Sequence, residues 1–197
     1  MYKFVRLVIL ALSMPIMFIA MGIAAFVVPI CGAPIAIATA YLVLTPVVYY
    51  TRGYPMFRLR YFIVSLLMMV VIWALEAAAE PYLREYSRAI QIFIQAMSVC
   101  PQWKAYFITT ALVLAPLVEE TLFRALLYVE LEKRAGAVAG YAGSSLAFAM
   151  AHGASMLIPL YFALGVVLTY AFKRGGIVSA VVLHSLNNLL ALAPIIQ

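Results

Sequence analysis

Residues 7–51 carry no charged side chain. A helix needs ~20 apolar residues to cross the hydrocarbon core of a bilayer, and this one run is long enough for two crossings. Further apolar runs follow to the end of the chain. They bound seven candidate spans: Phe4–Ile30, Ala33–Tyr50, Tyr61–Ala79, Ala105–Leu131, Ala135–His152, Met156–Phe172 and Ile177–Ile195. The boundary between the fifth and sixth is the least defined. Of 197 residues, 68% are hydrophobic and 10% charged. A soluble domain of that size has no core large enough to hide so much apolar surface. The expected fold is therefore all-α: a polytopic membrane helix bundle of about seven transmembrane spans, forming a single integral membrane domain over residues 1–197. No internal repeat, low-complexity tail or separate soluble domain is visible. The opening MYKFVRLVIL resembles a signal-peptide n-region. The apolar stretch behind it reaches Ile30, beyond the ~7–15 residues of a signal h-region, so a retained first span is expected.

The net charge of +6 suggests nucleic acid only until the positions are read. Lys3, Arg6, Arg52, Arg58, Arg60, Lys133, Arg134, Lys173 and Arg174 all fall on one side of the seven-span arrangement. Arg84, Arg88 and Lys104 fall on the other. Basic residues collect in short cytoplasmic loops. The N-terminus is thus expected in the cytoplasm and the C-terminus outside, with the lipid bilayer as partner and no nucleic acid. Cys31 and Cys100 both fall near the outer face, where two unpaired cysteines are expected in preference to a disulfide. Residues 81–101, PYLREYSRAIQIFIQAMSVCP, place Leu83, Tyr86, Ile90, Phe93, Ile94 and Met97 at helical spacing, with Arg84, Arg88, Gln91 and Gln95 opposite. That pattern predicts one amphipathic helix lying in the interface, filling a gap between spans.

Arg124, the remaining basic residue, sits inside the fourth span with Glu119 and Glu120. Each charge at the centre of a membrane helix costs ~2.5–3.5 kcal/mol on insertion scales. Glu120 and Arg124 are four residues apart on one face, acid before base, the favourable order for an ion pair. Glu119 points about 100° away and has no partner on its own span, while Pro116 loosens the backbone one turn earlier. An unpaired membrane carboxylate is by default a functional candidate. The only histidines, His152 and His184, lie within or at the end of other spans. His184 and Asn188 are four apart, on one helix face. A carboxylate in an apolar pocket can take a proton from water near neutral pH. A histidine can orient that water, and a second histidine with an amide can donate to a developing oxyanion. Together these residue types describe amide hydrolysis.

Other protease chemistries fit less well. The chain has no Asp, and His152 is followed by Gly153, so there is no HExxH. Ser144 and Ser145 follow Gly143, but Leu146 stands where an intramembrane serine nucleophile expects a small residue, and packing explains them better. Glu119, His152 and His184 would suffice as metal ligands, although nothing in their spacing demands a metal.

Three motifs stand in order on successive spans: EETLFR at Glu119–Arg124 as EExxxR, FAMAH at Phe148–His152 as FxxxH, and HSLNN at His184–Asn188 as HxxxN. Together they resemble the CAAX protease and bacteriocin-processing (CPBP, or Abi) family, whose best-known members are the type II CAAX prenyl endopeptidases. The resemblance covers residues 105–197. It implies a glutamate-dependent intramembrane endopeptidase that needs no cofactor or metal. Glu119 would be the general base, His152 its partner on the water, and His184 with Asn188 the oxyanion site, supported by Glu120, Arg124 and Phe148. The implied substrate is a membrane-anchored or exported peptide or protein, such as a leader, a bacteriocin or a C-terminal sorting segment. The implied location is a bacterial inner (plasma) membrane. Two other classes stand beside it: a non-catalytic membrane immunity or scaffold protein, and a proton-coupled transporter. The latter would call for repeated halves that the chain lacks.

Overall fold

The computed structural model describes residues 2–27, 31–54, 57–79, 97–152 and 157–196, together with 81, 88, 91, 92, 94 and 95. Every regular element among them is helical, as the apolar runs require. Helix α1 is Tyr2–Val27. Helix α2 is Gly32–Leu44, continued by tighter turns over Thr45–Gly53 that begin at Pro46. Helix α3 is Leu59–Ala79. Helix α4 starts at Trp103 and runs unbroken to residue 135 through Trp103–Thr109, Thr110–Leu114, Ala115–Glu120 and Thr121–Tyr128. Gly136, at φ 85°, then turns the chain, and the remainder of the kinked element Val129–Ala151 is α5. Helix α6 is Ile158–Tyr170, widening over Ala171–Gly175. Gly176, at φ 90°, makes the second turn, and α7 is Ile177–Ile196. Both turns use backbone angles that only glycine adopts without strain.

The seven expected spans thus correspond to seven helical runs, but not to seven full-length apolar ones. Among the described residues, only Gly32–Gly53 and Leu59–Ala79 are both long and apolar enough to cross a membrane. Val8–Ala24 and Ile177–Ala193 are apolar but shorter. The glycine turns shorten α5, α6 and α7, and charges interrupt α4. Of the 21 residues over which the interfacial helix is expected, 81–101, ten lie outside those described.

Met69 and Ile72 of α3, Tyr128 of α4, Phe148 of α5, Leu164 and Leu168 of α6 and Leu183 of α7 form one buried cluster. A second, smaller cluster surrounds Met97, Cys100 and Trp103, with Cys31 and Ile37 packed against it. At its centre Cys31 and Cys100 are joined by a disulfide, Cα atoms 4.8 Å apart. This corrects the expectation of two unpaired cysteines. Their separation of 69 residues gave no sign that Cys31, just before α2, lies against the segment leading into α4.

Helix α4 departs from α geometry twice, with π-helical turns over Thr110–Leu114 and Thr121–Tyr128 on either side of Ala115–Glu120. Wide turns of this kind are frequent at functional sites. Pro116 supplies part of the cause. It has no N–H to give to the carbonyl four residues back, or five back in a π turn. Those carbonyls belong to Leu112 and Ala111, and α7 satisfies both. Ser185 Oγ donates to Leu112 O at 2.8 Å, and Asn188 Nδ2 donates to Ala111 O at 2.8 Å. One proline on α4 thereby creates the acceptors that dock α7.

Candidate active site

Docking α7 on α4 brings His184 onto the Glu119–Glu120 turn. Glu120 and Arg124 are fully buried, with Arg124 Nε 3.2 Å from Glu120 Oε2. This is the expected ion pair, in contact without hydrogen-bond alignment. Glu120 Oε1 accepts from His184 Nδ1 at 2.8 Å. Arg124 reaches across to α6, donating to Gly165 O at 3.3 Å, and lies 4.5 Å over the ring of Phe148 on α5. Gly165 permits this approach. A Cβ there would sit 2.9 Å from the Cα of Ser145, so α5 and α6 can meet this closely only without a side chain. Ser144 and Ser145, the weak nucleophile candidates, are buried in that same interface.

Phe148 organises both histidines. Its ring centroid is 4.5 Å from that of His152 and 5.6 Å from that of His184. Tyr161 of α6 stacks on the other side of His152 at 4.6 Å. Phe148 and His152, four apart, also share a contact between His152 Nδ1 and Phe148 O at 2.8 Å. A carbonyl only accepts, so Nδ1 carries the proton and Nε2 of the neutral ring presents a lone pair. His184 Nδ1 likewise carries a proton, which it donates in a hydrogen bond to the Glu120 carboxylate.

Both Nε2 atoms face Glu119. Each is 3.8 Å from Oε2, and Oε2 is buried with no hydrogen-bond partner. Oε1 is not free: Tyr41 of α2 donates its hydroxyl proton to it at 2.5 Å. Each ring nitrogen is thus too far from Glu119 Oε2 for a direct hydrogen bond and close enough to share a water with it. The three groups differ in access. His184 is 2% exposed, Glu119 13% and His152 26%, so the site opens on the His152 side. Among the described residues, no three His, Cys, Asp or Glu side chains form a group able to hold a metal ion.

Of the residues singled out by sequence, Glu119, Glu120, Arg124, Phe148, His152 and His184 are brought together. Asn188 donates from Nδ2 to the Ala111 carbonyl at 2.8 Å. Its neighbour Asn187 accepts from Trp73 Nε1 of α3 at 2.9 Å. Tyr41 and Trp73 were not anticipated. Both are aromatic residues in apolar runs, and nothing local marks the one whose polar atom will meet α4 or α7.

Residues 101–190 match the family described as Type II CAAX prenyl endopeptidase Rce1-like. That stretch holds all three motifs that carry the resemblance. No curated protein and no solved structure matches the chain.

Proposed function

We propose that this chain, an Rce1-like protein over residues 101–190, is a multi-pass membrane endopeptidase that cleaves a peptide bond with a water activated by Glu119. One observation carries the reading: Glu119 Oε2 is buried, lacks a hydrogen-bond partner and lies 3.8 Å from the Nε2 of two histidines on two other helices. A water held among these atoms gives one proton to Glu119 while His152 orients it. Its oxygen then bonds to the scissile carbonyl carbon. The carbonyl oxygen becomes an oxyanion, and His184 donates to it from Nε2. The C–N bond breaks as the proton held by Glu119 passes to the leaving amine.

His184 can donate from Nε2 only when both ring nitrogens are protonated. Asn188 joins the oxyanion site with the amide hydrogen that Ala111 does not use. The scheme requires no cofactor.

The distribution of basic residues and the disulfide support a common orientation. Disulfides persist in oxidising compartments, and Cys31 and Cys100 lie on the side that the positive-inside pattern assigns to the exterior. A site open near mid-depth suits a membrane-anchored or exported substrate. The buried Glu120–Arg124–His184 network also fits a scaffold protein whose polar groups only fix helix packing. The two readings separate by terminal-peptide proteomics on membranes from cells with the wild type or Glu119→Gln at equal expression. Protein termini that vanish in the variant establish proteolysis. An unchanged set, with the variant folded, rejects it.

A further inference from the structure

Tyr41 lies on α2, outside the residues that match the family, yet its hydroxyl is in hydrogen-bond contact with the proposed base. A carboxylate has two equivalent oxygens and can rotate. Fixing one of them decides where the other points. With Oε1 held by Tyr41, Oε2 is the oxygen left facing His152 and His184.

The donor and the acceptor sit on helices that are covalently joined. Cys31 immediately precedes α2, Cys100 lies three residues before α4, and the disulfide connects them. Trp103, Phe107 and Ile37 close the same gap by packing around the bridge. Helix α2 also exposes Leu42 and Val43, so part of its surface meets no protein, and the bridge pins the end of α2 that lies beside the start of α4. We infer that Tyr41 is a positioning residue: it orients the Glu119 carboxylate toward the two histidines, and the Cys31–Cys100 disulfide keeps α2 in register to do so. The catalytic meaning of that orientation rests on the proteolytic reading above.

The contact has a readout independent of any substrate. Dicyclohexylcarbodiimide attacks a protonated carboxyl group within a membrane. A hydroxyl that donates to the ionised form holds the group back from that reaction. The full-length protein in membranes would be labelled at neutral pH and adduct formation at Glu119 followed by mass spectrometry. Tyr41→Phe keeps the ring and removes the donor, and should label about tenfold faster. Cys31→Ser with Cys100→Ser should also accelerate labelling in the wild type, and should add nothing in the Tyr41→Phe background, since both act through one contact. Leu42→Ala, on the exposed side of α2, should label at the wild-type rate. In the same cells, termini that depend on Glu119 should fall about tenfold in Tyr41→Phe.

Unchanged labelling in Tyr41→Phe overturns the inference. So does faster labelling with Glu119-dependent termini at wild-type level, or additive effects of the tyrosine and cysteine changes. Loss of all Glu119-dependent termini from the wild-type comparison would instead reject the proteolytic reading, while faster labelling in Tyr41→Phe would still support Tyr41 as the group that sets the Glu119 orientation.

Discussion

Helices α1 and α4 solve opposite problems. On α1, Phe18 is 65% exposed and Phe26 88%, and the helix packs mainly against α2. On α4, Glu120 and Arg124 are fully buried and Glu119 nearly so. In water this would be inverted. In lipid it is the expected economy, because apolar side chains lose nothing by facing acyl chains and polar ones need a protein partner. The contrast teaches where single changes should matter. Exposed apolar residues on α1 should tolerate exchange, whereas Glu119, Glu120 and Arg124 on α4 each meet a particular atom on another helix.

The sharpest break of that contrast is Glu119→Gln. Loss of a general base typically lowers rate by about 10²–10⁴-fold, so cleavage should fall by that factor with the fold retained, read as Glu119-dependent termini and a normal melting curve in detergent. Arg124→Leu should act on stability. Removing one partner of a buried pair costs about 3–5 kcal/mol, and here it also strips a donor from Gly165 O. Phe18→Ala on α1 should stay within about 0.5 kcal/mol, and the two variants can be compared by thermal unfolding in one detergent. If both behave alike, the contrast is wrong. Replacing Cys31 and Cys100 by Ser should cost about 2–4 kcal/mol, the same thermal scan registering it only under non-reducing conditions.

The smallest effect belongs to Glu132 and Lys173, which pair α4 with the end of α6 outside the spans. Burial pushes the Glu132 carboxyl up, but the hydrogen bond from Lys173, the Tyr128 hydroxyl and the Lys173 charge together outweigh it and hold the group below its ordinary value of 4.5. A carboxyl depressed in the folded state contributes stability that is present above 4.5 and lost as pH falls through its folded value. Both side chains are about one-third exposed, so solvent screening limits the pair to about 0–1 kcal/mol. Glu132→Gln should therefore lower the melting temperature slightly near pH 7, where that contribution is fully present, and flatten the small acid-side decline.

Pairings within one helix were legible in advance. Glu120 with Arg124, and Phe148 with His152, follow from four-residue spacing, because the helical period alone puts such residues on one face. The separation of Glu119 from that pair was legible for the same reason, and so was the rarity of histidine that pointed to His152 and His184. Pro116 announced disturbed backbone just before the glutamates. The all-helical architecture followed from apolar runs that no soluble core could hold.

The partners across helices were decided by tertiary structure. Nothing in the apolar run of α2 distinguishes Tyr41 from Tyr49 or Tyr50, yet only the rotation and crossing of α2 against α4 bring the Tyr41 hydroxyl to Glu119. His184 and Asn188 share a face, but that face meets α4 over more than one turn. One therefore reaches Glu120 and the other a carbonyl freed by Pro116. The Cys31–Cys100 bridge and the Trp73–Asn187 hydrogen bond are of the same kind. Helical periodicity fixes which residues share a face. Which face meets which neighbour depends on how closely two helices can approach, as at Gly165 and Ser145, and that is a property of both surfaces together.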